Sequence, residues 1–243
     1  MHPPDLSKIP EGPLGDAIRL GQRIVGRTFE ELPQNVGNGL HCTSCHLDGG
    51  TRAGAAPWVG LPGLFPEYRA RSGRVDTLAQ RVNDCFERSM NGTALEPDSD
   101  AMVGILAYMS FISRGVPSGQ ALEGRGMRRL DAALTPDRAQ GARIYAAKCE
   151  SCHGADGAGR ELDGGYLLPA VWGGRSFNIG AGLARLDTAA AYIRWNMPLG
   201  QGGLLTDQEA LSVADYVIHQ ERPDFAGKER DWPNGGKPRD ARY

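Results

Sequence analysis

Cys42-Thr43-Ser44-Cys45-His46 and Cys149-Glu150-Ser151-Cys152-His153 are two copies of one chemical pattern. Two thiols at this spacing can form thioethers to the vinyl groups of a haem, and the histidine beside them is then held close to the iron as its proximal ligand. A zinc ribbon also uses paired Cys-x-x-Cys, but its pairs stand about 15–20 residues apart. Here Cys45 and Cys149 are separated by more than one hundred positions. Neither zinc nor a redox-active dithiol needs a histidine after each pair. The pattern predicts two covalently attached haem c groups, with Cys42, Cys45, Cys149 and Cys152 as attachment points and His46 and His153 as iron ligands.

The opposite face of each iron needs its own reading. Met197, in Asn196-Met197-Pro198 within a glycine-rich stretch, suits a loop that presents a thioether to iron. His/Met ligation raises a haem's reduction potential. The competing role is a core methionine filling a gap, which is the expectation for Met102 and Met109 on an apolar stretch. In the first half of the chain the corresponding position falls on Cys85, because Asp76-Thr77 and Asp187-Thr188 each open a similar segment and Cys85 and Asn196 follow at the same offset. Met90 is a weaker rival.

Four of the five cysteines belong to the haem motifs, so Cys85 has no disulfide partner. It could be a buried structural cysteine, a reactive surface thiol or a distal haem ligand, and its alignment with the Met197 region favours the last. A thiolate on iron lowers the potential, which a plain electron carrier does not require. Its surroundings are basic: Arg69, Arg71 and Arg74 precede it, and Arg81 and Arg88 flank it. On a helix, Arg81, Cys85 and Ser89 share one face. Guanidinium groups beside a thiol suit an oxyanion and would lower the thiol's pKa. The plainer account is a solvated basic face balanced by Asp76, Asp84 and Glu87.

These residues require elements to hold them. The 243 residues, 40% hydrophobic, suffice for two small domains, each helped by an enclosed porphyrin. We expect a mainly α fold of two cytochrome c-like helical domains, each enclosing one haem c. Residues 1–20, with Pro3, Pro4, Pro10 and Pro13, read as an extended arm; 21–114 as the first domain, with the active-site haem; 115–134 as a glycine-rich linker; 135–220 as the second domain, with the electron-exit haem; and 221–243 as a tail anchored by Trp232 and Tyr243. In the first domain Asp100 could cap a closing helix. In the second, Thr135-Pro136-Asp137 opens a helix, and Thr206-Asp207-Gln208-Glu209 resembles a capping box before the closing helix.

A net charge of −2 gives no reason to expect nucleic acid, and no apolar run reaches the ~18 residues that span a membrane. Haem c is attached outside the bacterial cytoplasm, so we expect a periplasmic protein whose export signal is absent from the given sequence.

Together the two haem motifs, the segment Asn83-Asp84-Cys85-Phe86-Glu87-Arg88-Ser89-Met90-Asn91-Gly92, the triplet Asn196-Met197-Pro198 and the tail Asp231-Trp232-Pro233-Asn234-Gly235-Gly236-Lys237-Pro238 resemble the thiosulfate dehydrogenase family. The family consists of periplasmic dihaem cytochromes that couple two thiosulfates into tetrathionate. The resemblance implies an active site at the first haem, with Cys85 as distal ligand and Arg71, Arg81 and Ser89 lining the substrate pocket. It implies Met197 as ligand of the second haem; some members carry a lysine just before that methionine, and here the position is Asn196. The electron acceptor would be a small redox protein, either a cytochrome c or a high-potential iron–sulfur protein. Other readings are a dihaem electron carrier without substrate, which leaves Cys85 and the arginines unused, and a relative of the SoxA subunit of a sulfur-oxidising complex, which would require a partner. Nothing in the sequence favours a dihaem peroxidase. The same site could also run as a tetrathionate reductase.

Overall fold

A computed structural model of the chain describes residues 3–120, 122, 124–130, 133–162 and 165–243. Among the described residues, six helices of eleven or more residues carry the fold, in two sets of three. The first set is α1 (Pro13–Gly26), α2 (Leu78–Arg88) and α3 (Asp100–Ile112); the second is α4 (Arg138–Lys148), α5 (Leu186–Asn196) and α6 (Asp207–Ile218). Two antiparallel hairpins complete the architecture: β1 (Glu67–Arg69) with β2 (Arg74–Asp76), and β3 (Arg160–Leu162) with β4 (Gly165–Leu168). The chain is thus mainly α, as expected.

Opening and closing helices cross in the same way in both sets. A Cβ at Gly21 on α1 would lie 1.9 Å from the Gly104 carbonyl oxygen of α3, and one at Gly141 on α4 would lie 2.0 Å from the Ser212 carbonyl of α6. Only glycine permits backbones this close. The crossings seat two apolar cores. One contains Ile18, Ile24, Phe86, Met102, Ile105 and Phe111, and the other Ile144, Tyr145, Trp172, Leu205 and Val213. Met90, Met102 and Met109 are all buried in the first core.

Several local expectations need adjustment. Helix α1 begins at Pro13, inside the stretch read as an extended arm. Proline at the first helical position starts a helix because its missing N–H would have no partner there anyway. The cap of α3 is Ser99, whose hydroxyl accepts from the Met102 N–H, and not Asp100. Asp137, after Pro136, caps α4, while α5 starts at Leu186, one residue ahead of Asp187. Thr77 caps α2 in a reciprocal box with Gln80, and Thr206 does the same with Glu209 on α6.

The glycine-rich stretch after α3 is bound to the first set rather than hanging free. Gly54 N–H donates to the Gly124 carbonyl, Ala56 N–H to that of Gly126, and Gly119 N–H to that of Gly63. Residues 121, 123, 131 and 132 of the expected linker, and residues 1 and 2 of the arm, lie outside the described residues.

Candidate active site

The first motif forms a tight turn behind α1, with Thr28 Oγ1 accepting from the Cys42 N–H at 2.9 Å. His46 Nδ1 stands 2.7 Å from the Ala56 carbonyl, and its ring packs 4.8 Å from that of Trp58. His153 repeats the contact, with Nδ1 2.9 Å from the Pro169 carbonyl. A backbone acceptor at Nδ1 fixes the tautomer with the proton there, which leaves Nε2 free to bind a metal.

Cys42, Cys45, His46, Cys85, Ser89 and Met109 line one cavity. Cys149, Cys152, His153, Tyr192, Met197 and Val213 are among the residues that line a second. Each cavity therefore brings two thiols, an imidazole and a further sulfur to apolar walls, which is the donor set of an attached haem with a sulfur ligand opposite histidine. Leu40, His41 and Cys45 line both cavities, so the first haem motif forms part of the wall of the second pocket. Tyr192 of α5 reaches across and donates to the Ser44 carbonyl at 3.3 Å.

Arg81 and Cys85, one turn apart on α2, meet with Arg81 Nη1 3.0 Å from the sulfur. Burial alone would push the Cys85 thiol up; the Arg81 guanidinium and the facing His46 ring more than offset it and bring it down to about 6. The pairing in turn raises Arg81, with the Cys85 charge the largest cause. By contrast, burial pushes the Cys42 and Cys45 thiols up to about 12. Ser89 ends α2 and lines the same cavity.

Among the described residues no hydrogen bond joins Arg71 to Cys85 or Arg81. Arg71 lies in the turn of the β1–β2 hairpin, where Nη1 donates to the Gly180 carbonyl at 2.7 Å, Nε stands 3.7 Å from Asp231, and the guanidinium lies 4.9 Å over the Trp232 ring. Burial, then the nearby Arg88, lowers its pKa. Asp231 is the hub of this cluster, with a side chain only 3% exposed. Both Arg88 Nη atoms donate to it at 2.9 Å, and the Tyr243 hydroxyl also contacts it. The tail residue Trp232 donates its N–H to the Arg71 carbonyl at 2.8 Å.

Reasoning from sequence missed three participants. Asp231 was present only inside a tail motif, Arg69 only in a basic run, and Gly180 not at all. Arg69 is lowered first by burial and then by Arg81, so it stands beside the Cys85 helix. Asn196, one residue before Met197, is buried and bonds the Gly54 and Tyr192 carbonyls, so it anchors the helix end that delivers Met197 to the second cavity.

Comparison with known proteins agrees with this geometry. The family model described as SoxA/TsdA, cytochrome c domain, matches residues 33–118, and the model for cytochrome c oxidase, cbb3-type, subunit III, matches residues 136–217. The thiosulfate dehydrogenase of Psychrobacter arcticus is 49% identical over 98% of this chain and 73% of its own length. That of Allochromatium vinosum is 49% identical over 91% of this chain and 84% of its own. The structure of thiosulfate dehydrogenase (TsdBA) from Marichromatium purpuratum superimposes with a TM-score of 0.88 at 42% identity, covering 92% of this chain and half of that longer one. The chain is a dihaem c-type cytochrome that belongs to the thiosulfate dehydrogenase family.

Proposed function

We propose that this protein is an oxidoreductase that joins two thiosulfates into tetrathionate at the first cavity and passes the electrons through the second to an external acceptor. The observation that carries this reading is the Arg81–Cys85 contact: a thiol lowered to about 6 by a guanidinium 3.0 Å away, inside the cavity that holds the first haem motif. An electron carrier has no use for an activated nucleophile there.

In this reading His46 and Cys85 hold the first haem, His153 and Met197 the second, and the haems supply one-electron acceptors for the two electrons released. Arg81 and Arg69, with Arg71 held by the tail, draw in thiosulfate, a dianion, and offset the repulsion between two such ions. Ser89 offers a hydroxyl to a sulfonate oxygen. The Cys85 thiolate and the outer sulfur of one thiosulfate form an S–S bond with loss of two electrons, giving a cysteine S-thiosulfonate. The outer sulfur of a second thiosulfate attacks the outer sulfur of this adduct. The bond to Cys85 breaks, tetrathionate leaves, and the thiolate returns. Run backwards, the same steps reduce tetrathionate.

Lys148 and the exposed Leu199 line the second cavity, and we place the approach of a small acceptor, a cytochrome c or a high-potential iron–sulfur protein, on that side. No helix among the described residues is long and apolar enough to cross a membrane; we assign the protein to the periplasm, where haem c is attached.

The covalent step is tested by adding tetrathionate to the oxidised protein and mapping peptides by mass. Thiolate attack on tetrathionate needs no oxidant and releases one thiosulfate. An added S–SO3 group on Cys85 is expected. An unmodified Cys85 in protein that turns over would exclude the covalent route.

A further inference from the structure

Arg222 lies just beyond α6, against the second cavity. Its Nη2 donates to the carbonyls of Val171 at 3.3 Å and Val217 at 2.9 Å, and Nη1 to that of Phe177 at 3.4 Å. The guanidinium stacks 4.3 Å over the Phe177 ring. Val171, Phe177 and Val217 all line the second cavity, so Arg222 is packed on the outside of the layer that surrounds the second haem. Its Nε is buried with no hydrogen-bond partner, and among the described residues no carboxylate forms an ion pair with it.

Placing an unpaired cation in such a site is costly. Burial, followed by the nearby Arg242, lowers Arg222 to about 10, which still leaves it charged at neutral pH. No acidic side chain is among the influences on Arg222; Asp224, two residues on, pairs with Lys228, and Asp215, which acts on Arg242, is engaged by Arg138 at 2.8 Å and by His219 at 3.1 Å. The positive charge of Arg222 is thus not cancelled by protein groups.

We propose that Arg222 is an electrostatic positioning residue that raises the reduction potential of the second haem and so draws electrons away from the Cys85 side. Reduction adds one negative charge to a haem, and a fixed cation in the layer around it favours the reduced form. For a charge so placed in a partly screened protein interior, Coulomb's law gives an effect on the order of tenfold in the oxidation–reduction equilibrium. The arrangement also explains why the fold supplies three backbone carbonyls to a guanidinium: they take up its Nη donors without the neutralisation a carboxylate would bring.

The test is a redox titration of the haem-loaded, full-length protein, with the two haems resolved by electron paramagnetic resonance. Arg222→Gln keeps a polar side chain and removes the charge; Arg222→Lys keeps the charge and loses the planar donor set. In Arg222→Gln the second haem should become harder to reduce by about tenfold, which is about 59 mV for one electron. The first haem should stay within a small fraction of that shift, and Arg222→Lys should stay close to the unmodified protein. An unchanged second-haem potential in Arg222→Gln, or an equal fall in Arg222→Lys, would overturn the proposal. If Arg222→Gln fails to hold both haems, Arg222→Met, which fills similar space without a charge, decides. A fall of the same sign and size supports the proposal, and no change contradicts it.

Discussion

Cys85 has a local chemical identity that its sequence neighbours partly announce. Arg81 precedes it by one helical turn, and the structure puts Nη1 3.0 Å from the sulfur. Because the Arg81 guanidinium stabilises the Cys85 thiolate and lowers its pKa, the thiolate is favoured from high pH into the acid range and is lost as pH falls through that lowered pKa. The acid limb of kcat/KM for thiosulfate should therefore lie near or below pH 6. Arg81→Gln removes a lowering influence, so the limb should move to higher pH by about one unit or more, with kcat/KM at neutral pH falling on the order of tenfold to a hundredfold. A limb that stays in place, read from pH–rate profiles, would separate the arginine from the thiol. The haem motifs and the Arg81–Cys85–Ser89 face were legible because each is a short-range pattern. Arg71 was named from the same basic run, yet its partners Gly180, Asp231 and Trp232 lie more than a hundred positions away, and no local periodicity could have paired them.

At the scale of elements, the tail and the β1–β2 hairpin act as one piece. Gly73, in the hairpin turn with φ +69°, packs so near the tail that a Cβ would meet Pro233 Cγ at 2.5 Å. Asp231 binds Arg88 of α2 and stands 3.7 Å from Arg71 of the hairpin. Its side chain is 3% exposed and that of Arg88 is 10% exposed, so removing the carboxylate leaves a buried guanidinium with only the looser contact of its Nε to Asp84 at 3.5 Å. Asp231→Ala should cost roughly 3–5 kcal/mol in denaturant unfolding. It should also raise KM for thiosulfate more than it lowers kcat, because Arg71 loses one of the contacts that hold it. If the only effect of that carboxylate were to repel the substrate, its removal would lower KM instead. The helix crossings offer a second check: Gly141→Ala should destabilise by about 1–3 kcal/mol through overpacking against the Ser212 carbonyl, measured by chemical denaturation. The closing helices and the start of α4 were marked by local capping patterns, whereas α1 begins inside the stretch read as an extended arm and the cap of α3 was placed at Asp100 instead of Ser99. Adjacent Ser, Thr and Asp residues can all cap, and the choice depends on which backbone turn the tertiary packing allows.

Across the whole molecule, the two cavities share a wall made from the first haem motif, and Tyr192 of the second set bonds to the Ser44 carbonyl within it. The internal repeat at Asp76 and Asp187 had suggested two equivalent units. The structure adds that the second is joined to the first by Arg71–Gly180, by Asn178 on the Glu87 carbonyl, and by Asn196 on the Gly54 carbonyl. Such a junction suits electron passage over a short, fixed path. Met197→Ala should leave the first cavity able to take up thiosulfate in a single turnover while slowing steady-state turnover at least about tenfold, since in the proposed ligation its sulfur would set the second haem's potential. Equal loss in single and multiple turnovers, followed by stopped-flow absorbance, would place Met197 outside the exit path.

The most direct test of the central claim is a steady-state assay of the haem-loaded protein with thiosulfate and ferricyanide, scoring tetrathionate, alongside Cys85→Gly. The account predicts one tetrathionate for every two ferricyanides reduced, and turnover lost in Cys85→Gly with both haems still attached. Near-normal tetrathionate formation by Cys85→Gly would contradict it.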